Sequence, residues 1–171
     1  DFMRWRTNKA EKMEVAWRQI EKELSTIGKV QSIDILDIDH VEFIVEGVKL
    51  SFYACDKYSP LQSEVQYKDN LRLADLTAIG AMKMEVMLRR SNFRDYYDIY
   101  SLLMHGIELD AMVSVALEYS RHKLKSKNLY AMLTNGERFF IDKSFMLMHP
   151  KYDINPKDIE AYIIQKLNTT E

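Results

Sequence analysis

The stretch LADLTAIGAMKMEVMLRRSNFRDYYDIYSLL, residues 73–103, decides how the rest of the chain is read. It carries helical periodicity twice, and each predicted helix holds a charge where its pattern calls for an apolar side chain. On the first helix Lys83 follows Leu76 by seven residues and Ile79 by four, and it precedes Val86 and Met87 by three and four. Those offsets set an ammonium on the buried stripe. On the second, Asp95 and Asp98 share a face with Ile99 and Leu102. A buried charge without a partner costs several kcal/mol, so these groups either pair with one another or are kept for a ligand. Plainer readings stand beside that one. Asn92 is a good N-cap, which puts Asp95 at N3, where a carboxylate suits the exposed amides and the helix dipole. Arg94 and Asp98 are four apart and can pair on a surface, and Lys83 can lay its methylenes on the core while its ammonium stays in water.

Within this stretch, AMKMEVMLRRSNFRDYYDIYSLL resembles the signature of AbiEii-type nucleotidyltransferases, toxins of bacterial abortive-infection systems in the polymerase-beta-like nucleotidyltransferase superfamily. The signature is a helix with an alanine-containing turn and a lysine, a basic end, then Arg/Lys-Asp, a second Asp three residues on, and Leu-rich turns. Lys83, Arg94, Asp95 and Asp98 fall on those positions. The resemblance implies an enzyme: Mg2+-dependent transfer of a nucleoside monophosphate from an NTP to a hydroxyl of an RNA, tRNA included, or of a protein. The context it implies is a toxin–antitoxin or phage-defence system, with a cognate antitoxin as partner. It gives Lys83 to the triphosphate oxygens as a compact point charge. Asp95 or Asp98 would orient or deprotonate the attacking hydroxyl, with Arg94 anchoring that pair or a phosphate.

The same resemblance bears on the first residues. In the family a Gly-Ser or Gly-Gly turn, a helix and Asp-x-Asp followed by apolar residues supply the metal site. Asp1-Phe2-Met3 resembles the second Asp with its apolar followers, which makes Asp1 the expected metal ligand and places the Gly-rich turn and first Asp upstream. The simpler alternative is a solvated terminal residue. Two-metal transfer usually draws a third carboxylate from a neighbouring strand. The predicted strand Val48–Ala54 offers Lys49, Ser51 and Tyr53 there, none of them an anionic oxygen ligand. A two-carboxylate site holding one Mg2+, with a second arriving on the nucleotide, is the form left open.

Around these anchors the chain alternates between two periods. A helix is expected from about Asn8 to Ser25, with Met13, Ala16, Trp17, Ile20 and Leu24 on its apolar side and Gly28 as its stop. From Val30 to Cys55 the period falls to two. Ile33 and Ile35, then Val41, Phe43 and Val45, then Val48, Leu50 and Phe52 each alternate with polar positions, and Glu46-Gly47 reads as a hairpin turn. An antiparallel meander follows. Asp34, Asp37 and Asp39 suit a solvated strand face and a turn better than a metal cluster. Residues 56–71 read as a connector with a turn at Ser59-Pro60, and Asp75 as a helix cap. Gly80, one turn before Lys83, calls for the close approach of another helix or of a nucleotide. A further helix runs from Asp110 to about His122. It leads into the basic run Arg121, His122, Lys123, Lys125 and Lys127, a solvated face or a phosphate contact. Phe139, Phe140 and Phe145–Met148 read as core or a partner-facing surface. Asn155-Pro156-Lys157-Asp158 opens the last helix.

Composition narrows the class. A net charge of −2 gives no global field towards nucleic acid, so such contacts must be local. The single Cys55 excludes a disulfide framework and paired-thiolate zinc sites. His40, His105, His122 and His149 lack metal-ligand spacing. With no signal peptide or transmembrane run visible, a soluble, cytoplasmic protein without membrane contact is expected. The fold expected is α+β: a small mixed or antiparallel sheet with one packed helix, then an all-helical C-terminal half. In domain terms this is a nucleotidyltransferase-like core over 1–70, its N-terminal part apparently missing, and a helical subdomain over 71–171. Lys83 and Asp98 are expected to face a cleft between the halves, towards Asp1. The alternative from another class is a non-catalytic interaction module that keeps the fold and binds an antitoxin or RNA.

Overall fold

A computed structural model describes residues 14–54, 64–69, 71–120 and 124–168. The chain divides into two compact units, Asp1–Ala74 and Asp75–Glu171, and the fold is α+β with a helical C-terminal half.

In the first unit, β1 (Val30–Asp37), β2 (His40–Val45) and β3 (Val48–Tyr53) form an antiparallel sheet in the order β1-β2-β3. The register is set by period-two patterning. Phe43 lies opposite Ile33 on one side and Leu50 on the other, and a slip by one residue would turn this whole set to the opposite face. Val41, Phe43, Val45 and Phe52 form a core with Ile20 and Leu24 of α1 (Trp17–Ile27). The other face is polar. There Glu42 accepts from Ser51 Oγ at 3.1 Å and pairs with Lys49 Nζ at 2.6 Å. Glu46 and Gly47 both have positive φ, 49° and 78°, the conformation of the type I′ turn that matches strand twist.

Two expectations need correction in this unit. The helix carrying Ile20 and Leu24 does not run unbroken from about Asn8. Residues 14–16 are non-helical, with Val15 buried and its amide donating to the Ile38 carbonyl at 3.0 Å, and the helix opens at Trp17. Ala16, expected on the apolar side, is exposed, and Asn8 and Met13 lie outside the described residues. The connector 56–71 is also more than a connector. Within and just beyond it, β4 (Glu64–Lys68) and β5 (Leu71–Ala74) pair as a second antiparallel hairpin. Val65, Tyr67 and Leu73 stay exposed, so this hairpin lacks the in–out alternation by which strands are read. Ser59-Pro60 lies outside the described residues.

The second unit contains α2 (Leu76–Arg89), α3 (Phe93–Met104), α4 (Leu109–Tyr119), α5 (Ser126–Leu133), a 3-10 turn at Gly136–Arg138, α6 (Lys143–Met146) and α7 (Pro156–Asn168). Its core is centred on Met84, Met87, Tyr96, Ile99, Met112 and Leu133. Asp75 caps α2 by accepting from the Ala78 amide at 2.7 Å, and Asn92 caps α3 by accepting from the Arg94 amide at 2.9 Å. Gly80 meets a helix: a Cβ there would lie 2.2 Å from Met112 Sδ of α4. α7 opens on a reciprocal cap. Asn155 Oδ1 accepts from the amides of Lys157 and Asp158, and Asp158 Oδ2 accepts from the Asn155 amide.

α4 starts at Leu109 and ends at Tyr119, one turn short of the predicted end, and α5 follows where only a basic run was read. Arg121, His122 and Lys123 of that run lie outside the described residues. The apolar stretch 139–148 divides. Phe139 stacks on Tyr96 at 4.3 Å and Phe145 packs edge-on to Phe93 at 5.0 Å, whereas Phe140 and Met146–Met148 are exposed. Among the described residues no helix is long and apolar enough to cross a membrane.

Candidate active site

α2 and α3 run into one another through the short joint Arg90–Asn92, and the charges on either side of it meet. Asp95, at N3 of α3, is fully buried. Lys83, on α2, keeps 27% of its side-chain surface, and its ammonium lies 3.1 Å from Asp95 Oδ1 and 2.6 Å from Asp98 Oδ2. Asp98 is one turn along α3 from Asp95, with 36% of its side chain exposed. Three of the residues singled out from the sequence are therefore one cluster. They pair with each other, and the outward part of the cluster is Lys83 with Asp98.

A fourth member went unread. Arg90 is the first residue beyond α2, in extended conformation (φ −140°, ψ 150°). Its Nε donates to Asp95 Oδ2 at 2.7 Å and its Nη2 to Asp95 Oδ1 at 3.0 Å, the parallel two-point bond of a guanidinium on a carboxylate. Helical periodicity carries no information about a side chain leaving the C-cap, and the sequence offers only the basic end Arg89-Arg90 as a signal. Arg89 itself pairs along the helix with Glu85 at 2.7 Å.

The electrostatics follow from this geometry. Burial works against the Asp95 carboxylate ion, but bonds from Arg90 and Lys83 outweigh it and hold its pKa below the ordinary carboxylate value. Burial likewise works against the Lys83 ammonium. The contacts with Asp98 and Asp95 prevail, and its pKa is raised. Both groups are charged across the neutral range. Asp95 has both oxygens engaged and no exposed surface, so it holds its neighbours in place and has no room to accept a proton from a substrate. Asp98 has the exposure that such a role requires.

Arg94 does not pair with Asp98. Its Nη2 donates to Ser144 Oγ at 3.0 Å, and that hydroxyl in turn donates to Asp142. This chain ties α6 and its N-cap Asp142 to the first turn of α3, and the backbone just before α6 reinforces it. The Phe140 amide donates to the Ser91 carbonyl, and the Phe93 amide to the Phe140 carbonyl, both at 3.3 Å. Arg94 Nε is buried without a hydrogen-bond partner among the described residues.

The cluster does not fit a divalent cation. Asp95 is saturated by cationic donors and Asp98 is in contact with an ammonium. Among the described residues no three His, Cys, Asp or Glu side chains gather as a ligand set. Asp34, Asp37 and Asp39 are strand-face and turn residues. Asp1, the expected metal ligand, lies outside the described residues.

The family model described as "Nucleotidyl transferase AbiEii toxin, Type IV TA system" matches residues 17–163, most of the chain and all of the cluster. No curated protein and no solved structure gives a significant match.

Proposed function

The chain belongs to the AbiEii nucleotidyl transferase toxin family of type IV toxin–antitoxin systems, and from that membership we propose that it moves a nucleoside monophosphate from an NTP to an RNA hydroxyl, with tRNA as the first acceptor to test. The acceptor oxygen forms a bond to the α-phosphorus, the α–β bridging P–O bond breaks, and pyrophosphate leaves with the electron pair. The hydroxyl proton passes to Asp98. Lys83 contacts the triphosphate oxygens, and Asp95 fixes Lys83 in direction. Arg94, held by Ser144, anchors the first turn of α3, the helix that carries both carboxylates. Mg2+ belongs to this reading as the counter-ion of the triphosphate, with Asp1 as its ligand on this chain. A cognate antitoxin is the partner that the family implies.

The observation that carries the reading is the Lys83 side chain. A partly exposed ammonium is held charged by two carboxylates, one sealed and one open, in the position where the family signature has its lysine. The test is transfer of label from an α-labelled NTP into bulk tRNA by wild type, Lys83→Ala and Asp98→Asn. Lys83→Ala is expected to lower transfer by a factor on the order of a hundred or more, the scale of lost electrostatic transition-state stabilisation. Asp98→Asn is expected to lower it on the order of a hundredfold, as for loss of a general base. Transfer unchanged in Lys83→Ala would remove that residue from the mechanism. The saturation of Asp95 and the ion pairing of Asp98 favour one rival, a fold retained for binding an antitoxin or RNA without transfer. Binding of bulk tRNA with no labelled product from wild type would establish it.

A further inference from the structure

We propose that Arg90 is a positioning residue of the transfer reaction, gripping Asp95 by both oxygens so that the Lys83 ammonium is turned to Asp98 and to a bound triphosphate. The nucleotide part of this inference rests on the function proposed above; the part concerning Lys83 does not.

The geometry is specific to a guanidinium. Arg90 meets Asp95 with Nε on one oxygen and Nη2 on the other, at 2.7 and 3.0 Å, while Lys83 shares only Oδ1, at 3.1 Å. The shorter ammonium contact is the one to Asp98, at 2.6 Å. A planar fork fixes the orientation of a carboxylate, as a single ammonium does not.

Charge counting points the same way. Lys83 and Arg90 balance Asp95 and Asp98, and the cluster is neutral. Without Arg90 one ammonium faces two carboxylates, one of them fully buried, and Lys83 becomes the only cation of this cluster left for Asp95. The site then carries an excess negative charge where a polyanion is to bind, and its lysine is drawn inward. Arg90 also bridges the joint it belongs to. Its backbone amide closes α2 on the Val86 carbonyl at 3.1 Å, while its side chain reaches the first turn of α3.

The experiment uses the full chain as wild type, Arg90→Gln, Arg90→Lys and the double variant Arg90→Gln/Asp95→Asn, each checked for its fold by circular dichroism. The first measurement is an NMR titration of Lys83 Nζ without nucleotide. In Arg90→Gln the lysine is expected to titrate at higher pH than in wild type, and in the double variant to return towards the wild-type value. A role confined to stability would leave this titration in place. The second is calorimetric binding of ATP, GTP, CTP and UTP in turn, followed with whichever wild type binds. Arg90→Gln is expected to bind about tenfold more weakly, the effect of one unit charge a few ångströms from an anion in a site open to water, and the double variant to recover most of that loss.

An unchanged Lys83 titration in folded Arg90→Gln overturns the inference. Should Arg90→Gln not fold, Arg90→Lys takes its place: loss of the fork alone is expected to move the Lys83 titration upward, and no movement overturns the inference. Failure of the wild-type protein to bind any of the four NTPs counts against nucleotidyl transfer instead, and the Lys83 titration still decides the position of Arg90.

Discussion

At Asp95, three charge-assisted bonds stand against the desolvation of a carboxylate with no exposed surface. Breaking a buried pair from one side is costly because a charge is left behind. Removing Asp95 leaves two cations that retain access to water, so Asp95→Ala is expected to cost about 2–3 kcal/mol, the worth of a hydrogen bond to a charged group or slightly more. Urea denaturation measures that loss. The pH dependence has a definite sign. The folded pKa of Asp95 lies below its unfolded value, so its contribution is present above about pH 4 and is lost as pH falls through the lowered folded value. Lys83 is the opposite case. Its contribution is present below about pH 10.4 and is lost as pH rises through the raised folded value. Denaturation repeated down to acid pH is expected to show less loss of stability in Asp95→Ala than in wild type. An identical acid limb would mean that other carboxylates govern it. The pairing of Lys83 with Asp95 and Asp98 was accessible from the sequence, because two helical offsets put unlike charges on facing stripes. Arg90 was not, because the direction of its side chain depends on an extended backbone at a helix end.

Among the elements, the contact of α2 with α4 turns on Gly80. Replacing a mid-helix glycine with alanine ordinarily gains about 1 kcal/mol. Here the new methyl would sit 2.2 Å from Met112 Sδ and 2.8 Å from its Cγ, in a fully buried side chain, and overpacking of that kind costs about 1–3 kcal/mol. Steric conflict is expected to win, so Gly80→Ala destabilises the wild-type protein. In a Met112→Ala background the same substitution is expected to stabilise, because the clash is gone and the propensity gain remains. Thermal denaturation of the four proteins tests the sign reversal, and loss of stability in both backgrounds would refute it. The elements that sequence reading recovered are those with one clean period: the meander with Phe43 at its centre, and the amphipathic α3. The β4–β5 hairpin escaped because Val65, Tyr67 and Leu73 are exposed and leave no alternation to see. The start of α1 escaped because Ala16, four residues before Ile20, has the spacing of one more turn of the stripe yet is exposed on a non-helical segment.

For the molecule as a whole, the two units have separate hydrophobic cores: one of Val15, Phe43 and Phe52 with their neighbours, the other running from Ala81 to Ile163. A core of that extent suffices for independent folding without disulfides or metals. The fragment 75–171 is therefore expected to unfold cooperatively by circular dichroism while giving no transfer product, since it lacks Asp1, the ligand proposed above for Mg2+. A fragment without a cooperative transition would show that the helical unit depends on the first. Within that unit the joint Arg90–Asn92 has a consequence of its own. Lys83 and Asp98 find each other across it, and one residue inserted into its extended backbone would displace α3 by about 3 Å and change the direction in which it leaves α2. Every side chain would survive such a change, yet the lysine and the aspartates would face different ways. Interval length, more than amino-acid identity, is what heredity must guard at this spot, because a codon gained or lost there would part the lysine from its aspartates while leaving all of them in the chain.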